Sequence, residues 1–327
     1  MVEFRKARRE DADDILDFIN YVFSQAHRPH DFKTLNPAMY DSEYPFWDDH
    51  FVAVEDGHIR ATIAFSIRTN EKAGFTLKYG HVGQVSVHPY HRGRGFMKEL
   101  MRLGIAYMRD ECGCDYSNLG GLRQRYGYFG YMPSCYHYSF NVTATNTRHL
   151  LAGREPLIRV CPDFTVWLND EKLGTVKESY TIYDLLELTD YRYAPDVAAA
   201  YFAATNQWQV TVNTELYETA HAMELSRFAE TVSIVGGPLT RVFRFRRCIE
   251  AGLTPRVHAG LCADGELTLR VGDECFGIRV AGREVSLFDA DTAQYTFEPE
   301  ELQALILQLN PAAADSRIPL GWFPISF

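Results

Sequence analysis

The run Val85-Ser86-Val87-His88-Pro89-Tyr90-His91-Arg92-Gly93-Arg94-Gly95-Phe96-Met97 constrains this chain more than any other part of it. It reads as a strand ended at Pro89, a short basic loop with two glycines, and the start of a helix. Met97, Leu100, Met101, Gly104, Tyr107 and Met108 recur at three-to-four-residue spacing, the period of one buried helical face. A strand that feeds such a loop into a helix aims several backbone N–H groups at one spot, and the helix dipole adds partial positive charge there. The place suits an anion, a pyrophosphate above others. A solvated basic turn is the plain alternative, because glycines at a strand-to-helix junction are common for structural reasons alone.

Length and composition bound what surrounds that run. A chain of 327 residues points to two or three domains, and 46% apolar with 13% aromatic residues is enough to fill large cores. No stretch of roughly 18 uncharged apolar residues occurs, so no membrane span is expected. The opening Met1-Val2-Glu3-Phe4-Arg5 has no apolar run behind it and does not read as a secretory signal. Seven scattered cysteines, an odd number, fit a reducing cytoplasm. Cys112-Gly113-Cys114 has no second Cys or His pair at ligand spacing, so free thiols and no metal are expected there. The formal charge of −10 argues against nucleic acid, which needs a dense basic face. An acidic protein attracts cations instead, and an amine is a cation at neutral pH.

Along the chain, residues 2–6 read as a first strand, and Asp11 or Asp13 can cap a helix whose inner face is Ile15, Phe18, Ile19, Val22 and Phe23. The aromatic, proline-punctuated segment from His27 to Trp47 reads as a loop with short helical pieces. Phe51–Val54 and Ile59–Ile67 flank Asp56-Gly57 as a β-hairpin. A strand over 81–87 enters the glycine loop, a short strand lies near 115–118, and a strand over 136–142 closes the leading sheet. Further on come a strand over 180–190 and a helix carrying Val197, Ala200, Tyr201 and Ala204. Strands over 258–262, 266–271, 275–280 and 284–288 follow, then a helix over 299–309 with Leu302, Leu305, Ile306 and Leu309 on one face.

The loop resembles the pyrophosphate-binding signature of the GCN5-related N-acetyltransferases (GNAT): Arg or Gln, two residues, Gly, one residue, then Gly or Ala. Arg92, Gly95 and Met97 fill those places, Met97 standing where a small residue is usual. The order of elements over residues 1–142 is similar to that superfamily as well. Arg92-Gly93-Arg94-Gly95 before bulky Phe96-Met97, followed by Tyr126-Gly127-Tyr128-Phe129-Gly130-Tyr131, resembles the enhanced-intracellular-survival (Eis) type. The resemblance implies an α/β (α+β) chain in three parts. These are a GNAT acetyltransferase domain over 1–142, a degenerate GNAT-like region over 143–238 without a glycine loop, and a sterol-carrier-protein-like domain over 239–327. It also implies acetyl-CoA as co-substrate, a small-molecule amine as acceptor and a homo-oligomer.

Attack of an amine on a thioester needs the phosphates held, a proton removed from the amine, and a proton supplied to the departing thiolate. By resemblance, the backbone of Val85, Ser86 and Val87 pairs with the pantetheine arm. Backbone N–H groups from Arg92 through Gly93, Arg94, Gly95, Phe96 and Met97 to Lys98 cradle the pyrophosphate, with charge from Arg92 and Arg94. Gly121 and Leu122 touch the cofactor. Tyr126, the first tyrosine of the Tyr-Gly-X-Phe-Gly-Tyr turn, is the general acid, and the C-terminal carboxylate of Phe327 is the base. The residues alone leave alternatives open: Tyr126, Tyr128 and Tyr131 could be aromatic packing, and the apolar end Trp322–Phe327 could simply fill a core groove. Phe32, Tyr44, Phe46 and Trp47 could hold a substrate ring or cation, with Asp31, Asp41 and Glu43 pairing amines, or could form a packed lid. The competing reading of the whole chain is a non-catalytic or lipid- and acyl-binding protein that uses its C-terminal domain.

Overall fold

The computed structural model describes residues 1–25, 29–41, 43–151, 158–177, 184–205, 207–309 and 318–326. They form two compact units, residues 1–134 together with 238–327, and residues 135–237. The boundaries expected from sequence, 142/143 and 238/239, fall near the ends of the middle unit.

The first unit opens with β1 (Val2–Lys6) and α1 (Ala12–Ser24). Helical spacing puts Ile15, Leu16, Phe18, Ile19 and Val22 of α1 in the core. Neither expected side-chain cap forms. Asp11 precedes the helix, but its carboxylate takes both Arg5 guanidinium nitrogens at 2.6 and 2.9 Å and the Arg8 backbone N–H at 2.7 Å. Asp13 lies inside the first turn. The bidentate, charge-assisted pair outcompetes a single bond to a helix N–H.

β2 (His50–Glu55), β3 (His58–Lys72) and β4 (Phe75–Val87) follow as two successive hairpins. Asp56 and Gly57 take φ of 52° and 77°, the primed turn that Asp-Gly favours. A second such turn at Ala73-Gly74 carries β3 and β4 well past the limits expected from sequence. α2 (Phe96–Ala106) then lays Phe96, Leu100, Met101, Gly104 and Ile105 on the sheet. Gly104 lets the helix sit on Phe65: a Cβ there would lie 2.0 Å from the ring. β5 (Tyr116–Leu119), α3 (Arg123–Tyr126) and β6 (Met132–Pro133) complete this stretch.

The second unit is a seven-stranded sheet with helices. In chain order it holds β7 (His137–Thr143), α4 (Ala144–Leu151), β8 (Ile158–Val160), β9 (Thr165–Leu168), β10 (Glu171–Lys177), β11 (Asp184–Leu188), α5 (Ala194–Ala204), β12 (Gln209–Glu215), α6 (Thr219–Ser226) and β13 (Thr231–Val235). The sheet order is β13-β7-β12-β11-β10-β9-β8. The strand expected over 136–142 therefore does not close the leading sheet. As β7 it pairs with β12 and β13, because Phe140 and Val142 bury against Val197, Tyr201, Val210 and Val212. Of the strand expected over 180–190, β11 is seen; residues 180–183 lie outside the described ones.

The chain then returns to the first unit through β14 (Leu239–Val242), α7 (Phe245–His258), β15 (Gly265–Val271), β16 (Glu274–Ala281), β17 (Glu284–Asp289), β18 (Tyr295–Phe297) and α8 (Pro299–Leu307). β14 enters the leading sheet, giving the order β1-β2-β3-β4-β5-β14-β6, while β17-β16-β15-β18 form a sheet of their own. No strand occupies 258–262: α7 reaches His258 because Phe245, Cys248, Ile249, Leu253 and Val257 bury at helical spacing. Leu302, Leu305 and Ile306 of α8 are buried as the pattern predicts, whereas Leu309 lies beyond the helix end. Leu77 and Tyr116 of the leading sheet share one core with α7, β15, β16 and α8. No described helix is long and apolar enough to cross a membrane.

Candidate active site

β4 and β5 run parallel and pair from Tyr79–Tyr116 to Val82–Leu119, and there the pairing ends. Two local features part them. Gln84 takes a left-handed φ of 47°, and the β3–β4 register shifts between Thr62 and Ala64, a bulge that bends β4. β5 stops at Leu119 and runs into Gly120-Gly121. From Gly83 to Val87, β4 consequently has β3 on one side and no strand on the other among the described residues. An unpaired strand edge presents N–H and C=O groups ready for an extended partner. Val85, Ser86 and Val87 lie on this stretch, and the buried Ser86 hydroxyl has no hydrogen-bond partner.

The edge leads into the glycine loop. Gly93 and Gly95 take φ of 78° and 82°, and the space where a Cβ would sit is open at both. Only glycine adopts that conformation freely. Gly95 stands directly before α2, so the N–H groups of Phe96, Met97 and Lys98 lack intrahelical acceptors and face the loop. Arg92 is exposed, and no described residue pairs with it. Arg94 is engaged: its guanidinium binds Glu55 bidentately at 2.7 and 2.8 Å, meets His91 Nδ1 at 2.7 Å and lies 4.8 Å over the Phe96 ring. Arg94 holds the Glu55 carboxyl down at about 2. In this geometry Arg94 staples the loop to the end of β2, and Arg92 is the loop arginine that stays unengaged among the described residues. Exchanging the pair, Glu55→Arg with Arg94→Glu, is therefore expected to restore acetyl-CoA affinity to within about threefold of the unaltered chain, where Arg94→Glu alone weakens it roughly tenfold. Titration calorimetry with acetyl-CoA checks it; no recovery in the double variant makes Arg94 a direct phosphate ligand.

The aromatic turn sits beside these elements. Tyr126 ends α3, is buried, and packs in the same cluster as Val82, Val85, Val87, Phe96 and Met97. Its ring rests on Gly121, where a Cβ would come within 2.6 Å of it. Burial raises the Tyr126 phenol above its ordinary value, with Arg125 pulling weakly the other way. Tyr131 is fully buried and bonded to Ser117 Oγ at 2.8 Å, while Tyr128 is exposed with the Lys98 ammonium 5.1 Å over its ring. Leu122, just before α3, is exposed.

Residues 3–134 match the family model described as an acetyltransferase (GNAT) domain. Those residues are a GNAT acetyltransferase domain. Three solved structures share the fold over nearly the whole chain. The GCN5-related N-acetyltransferase from Kribbella flavida has a TM-score of 0.64 at 17% identity, over 94% of this chain and 90% of its own. The one from Anabaena variabilis ATCC 29413 has 0.63 at 13%, over 98% and 94%. Eis1 from Mycobacterium abscessus has 0.60 at 12%, over 99% and 94%. No curated protein sequence matches the chain.

Within the acetyltransferase domain, one group escaped the sequence reading. His81 lies on β4 just before the strands part; its Nδ1 meets Asn118 Oδ1 on β5 at 2.8 Å. With the Asn118 carbonyl oxygen facing it, Nδ1 is the donor of that bond. Nε2 lies over Gly83, 3.8 Å from the point where a Cβ would be. A lone strand histidine has no spacing signature, and its partner is adjacent only through a parallel pairing. The base expected from the sequence, the Phe327 carboxylate, lies outside the described residues. The stretch before it is docked, with Trp322, Phe323 and Ile325 buried.

The aromatic segment packs more than it gapes. Phe32 and Phe46 are buried with Met39 and Tyr40 against α1, Asp31 accepts from Lys33 N–H and Thr34 Oγ1, and Tyr44 donates to Asp49 at 2.7 Å. Trp47 is half-buried, and Asp41 and Glu43 are exposed.

Proposed function

We propose that the chain transfers the acetyl group of acetyl-CoA directly to a primary amine of a small cationic molecule. The observation that carries this reading is the unpaired edge of β4, continuous with an open glycine loop at the start of α2. An extended pantetheine arm can pair with Val85, Ser86 and Val87 like an added strand, and its diphosphate then reaches the N–H groups from Gly93 to Lys98 and the Arg92 guanidinium. Gly121 and Leu122 border the thioester. The amine lone pair forms the N–C bond, the C–S bond breaks, and the sulfur takes the phenol proton of Tyr126. The proton lost by the ammonium goes to a base, for which His81 Nε2 and the Phe327 carboxylate are the candidates. Residues 265–307, a four-stranded sheet with a helix, fit a sterol-carrier-like module in this scheme.

Arg92→Glu tests the cradle. Losing one charge-assisted contact and adding repulsion should raise the Kd for acetyl-CoA by at least tenfold with the melting temperature unchanged. Release of free CoA across a panel of amines then finds the acceptor class. An undiminished affinity in Arg92→Glu, or stabilisation by fatty acyl chains and not by acetyl-CoA, overturns the reading in favour of an acyl-binding protein.

A further inference from the structure

The turn that carries Tyr126 is completed by side chains from the far end of the sequence. α3 continues as a tight turn over Gly127–Phe129 and stops at Gly130, which takes a left-handed φ of 76°. Such an end leaves its last carbonyls without backbone donors. Gly130 N donates to Gly127 O at 3.0 Å and Tyr131 N to Tyr126 O at 3.3 Å, and the carbonyls of Phe129 and Gly130 are among those left. Arg241 of β14 donates to Phe129 O, and Gln303 Nε2 of α8 donates to Gly130 O at 2.8 Å.

Gln303 is an unusual residue for its place. It is 3% exposed on a helix face otherwise made of Leu302, Leu305, Ile306 and Leu307. Its amide is used on both sides: Oε1 accepts from Val242 N at 2.7 Å, and Nε2 also reaches Thr240 O at 3.3 Å. Those partners fix which end is oxygen and which is nitrogen. A leucine would bury as well, so the amide answers to what it ties together: β14 on one side, the tyrosine turn on the other. Arg241 acts alongside it, largely buried and with no described carboxylate in ion-pair contact; burial pulls its guanidinium pKa down.

We propose that Gln303 is a positioning residue for the transfer step: through Gly130 it sets the placement of the Tyr126 phenol. The inference rests on Tyr126 being the proton donor, and it gives residues 238–327 a part in the reaction. A cycle of Gln303→Met, Tyr126→Phe and the double variant tests it, with kcat from CoA release and Kd for acetyl-CoA read separately. Gln303→Met is expected to lower kcat roughly ten- to a hundredfold, the scale of a misplaced reacting group, with Kd unchanged. In the Tyr126→Phe background the same change is expected to cost less than about twofold. Equal losses in both backgrounds, or an unchanged kcat in Gln303→Met, overturn the positioning role and leave Tyr126 as donor. If Tyr126→Phe by itself costs nothing, the donor assignment falls and the inference with it. Should Gln303→Met fail to fold, Arg241→Lys serves the same cycle, since it keeps the charge and loses the reach to Phe129 O.

Discussion

Tyr126→Phe is expected to lower kcat roughly a hundred- to a thousandfold while acetyl-CoA affinity and melting temperature stay within error, the scale of a lost general acid. The ring of phenylalanine fills the same space on Gly121, so ring packing is preserved and the change is confined to the hydroxyl group. In the proposed reaction the departing CoA thiolate takes that proton as the C–S bond breaks. Burial raises the Tyr126 pKa, and the sign of the effect follows directly: a raised pKa keeps the donor protonated further into the alkaline range. The kcat profile of the unaltered protein should therefore hold through neutral pH and fall only above the ordinary phenol value. In Tyr126→Phe that alkaline limb should vanish. Steady-state CoA release from about pH 6 to 11 with one good amine checks both points. A full-rate variant would return Tyr126 to aromatic packing and move the donor elsewhere.

The part of the site legible in sequence is the part built from neighbours. Val85–Val87, Pro89, Gly93, Gly95 and the α2 stripe lie within one short stretch, so a strand pattern, a breaker, two left-handed glycines and a helical period reinforce one another. Tyr126 was singled out by the resemblance of its contiguous glycine-rich turn to the Eis type, where the residues alone left three tyrosines open. The parts built by distant pairing were not legible. Leu239–Val242 is too short to announce itself as a strand, yet it lies between β5 and β6 and displaces the strand that order alone would put there. The basic loop carries two arginines of equal promise, and only the fold shows that Glu55, at the end of another strand, holds Arg94. α7 went unread because its hydrophobic period is broken by Arg246, Arg247, Glu250 and Pro255.

Asp115→Ala is expected to destabilise the first unit by about 2 kcal/mol, the scale of hydrogen bonds made to a charged group. Asp115 is 2% exposed and stands just ahead of β5, where β4, β14 and α7 meet. Its carboxylate accepts from Lys78 N and from Arg247 Nε, both at 2.8 Å, and its backbone carbonyl accepts from Phe243 N and Arg244 N at 2.9 Å. Alanine leaves the carbonyl contacts alone and takes from the Lys78 N–H its charged acceptor. Arg247 is half-exposed, which screens its pair with Asp115, and the carboxylate keeps the Lys78 N–H when the guanidinium is removed, so Arg247→Ala should cost under about 1 kcal/mol. Asp115→Asn keeps an acceptor for Lys78 and should fall between the two. For a unit of this size the alanine change corresponds to a drop of roughly 4–8 °C in Tm by scanning calorimetry. The ranking carries the argument. If Arg247→Ala costs as much as Asp115→Ala, the ion pair does the joining; the expected order places the strength in the buried carboxylate's grip on the backbone of β4.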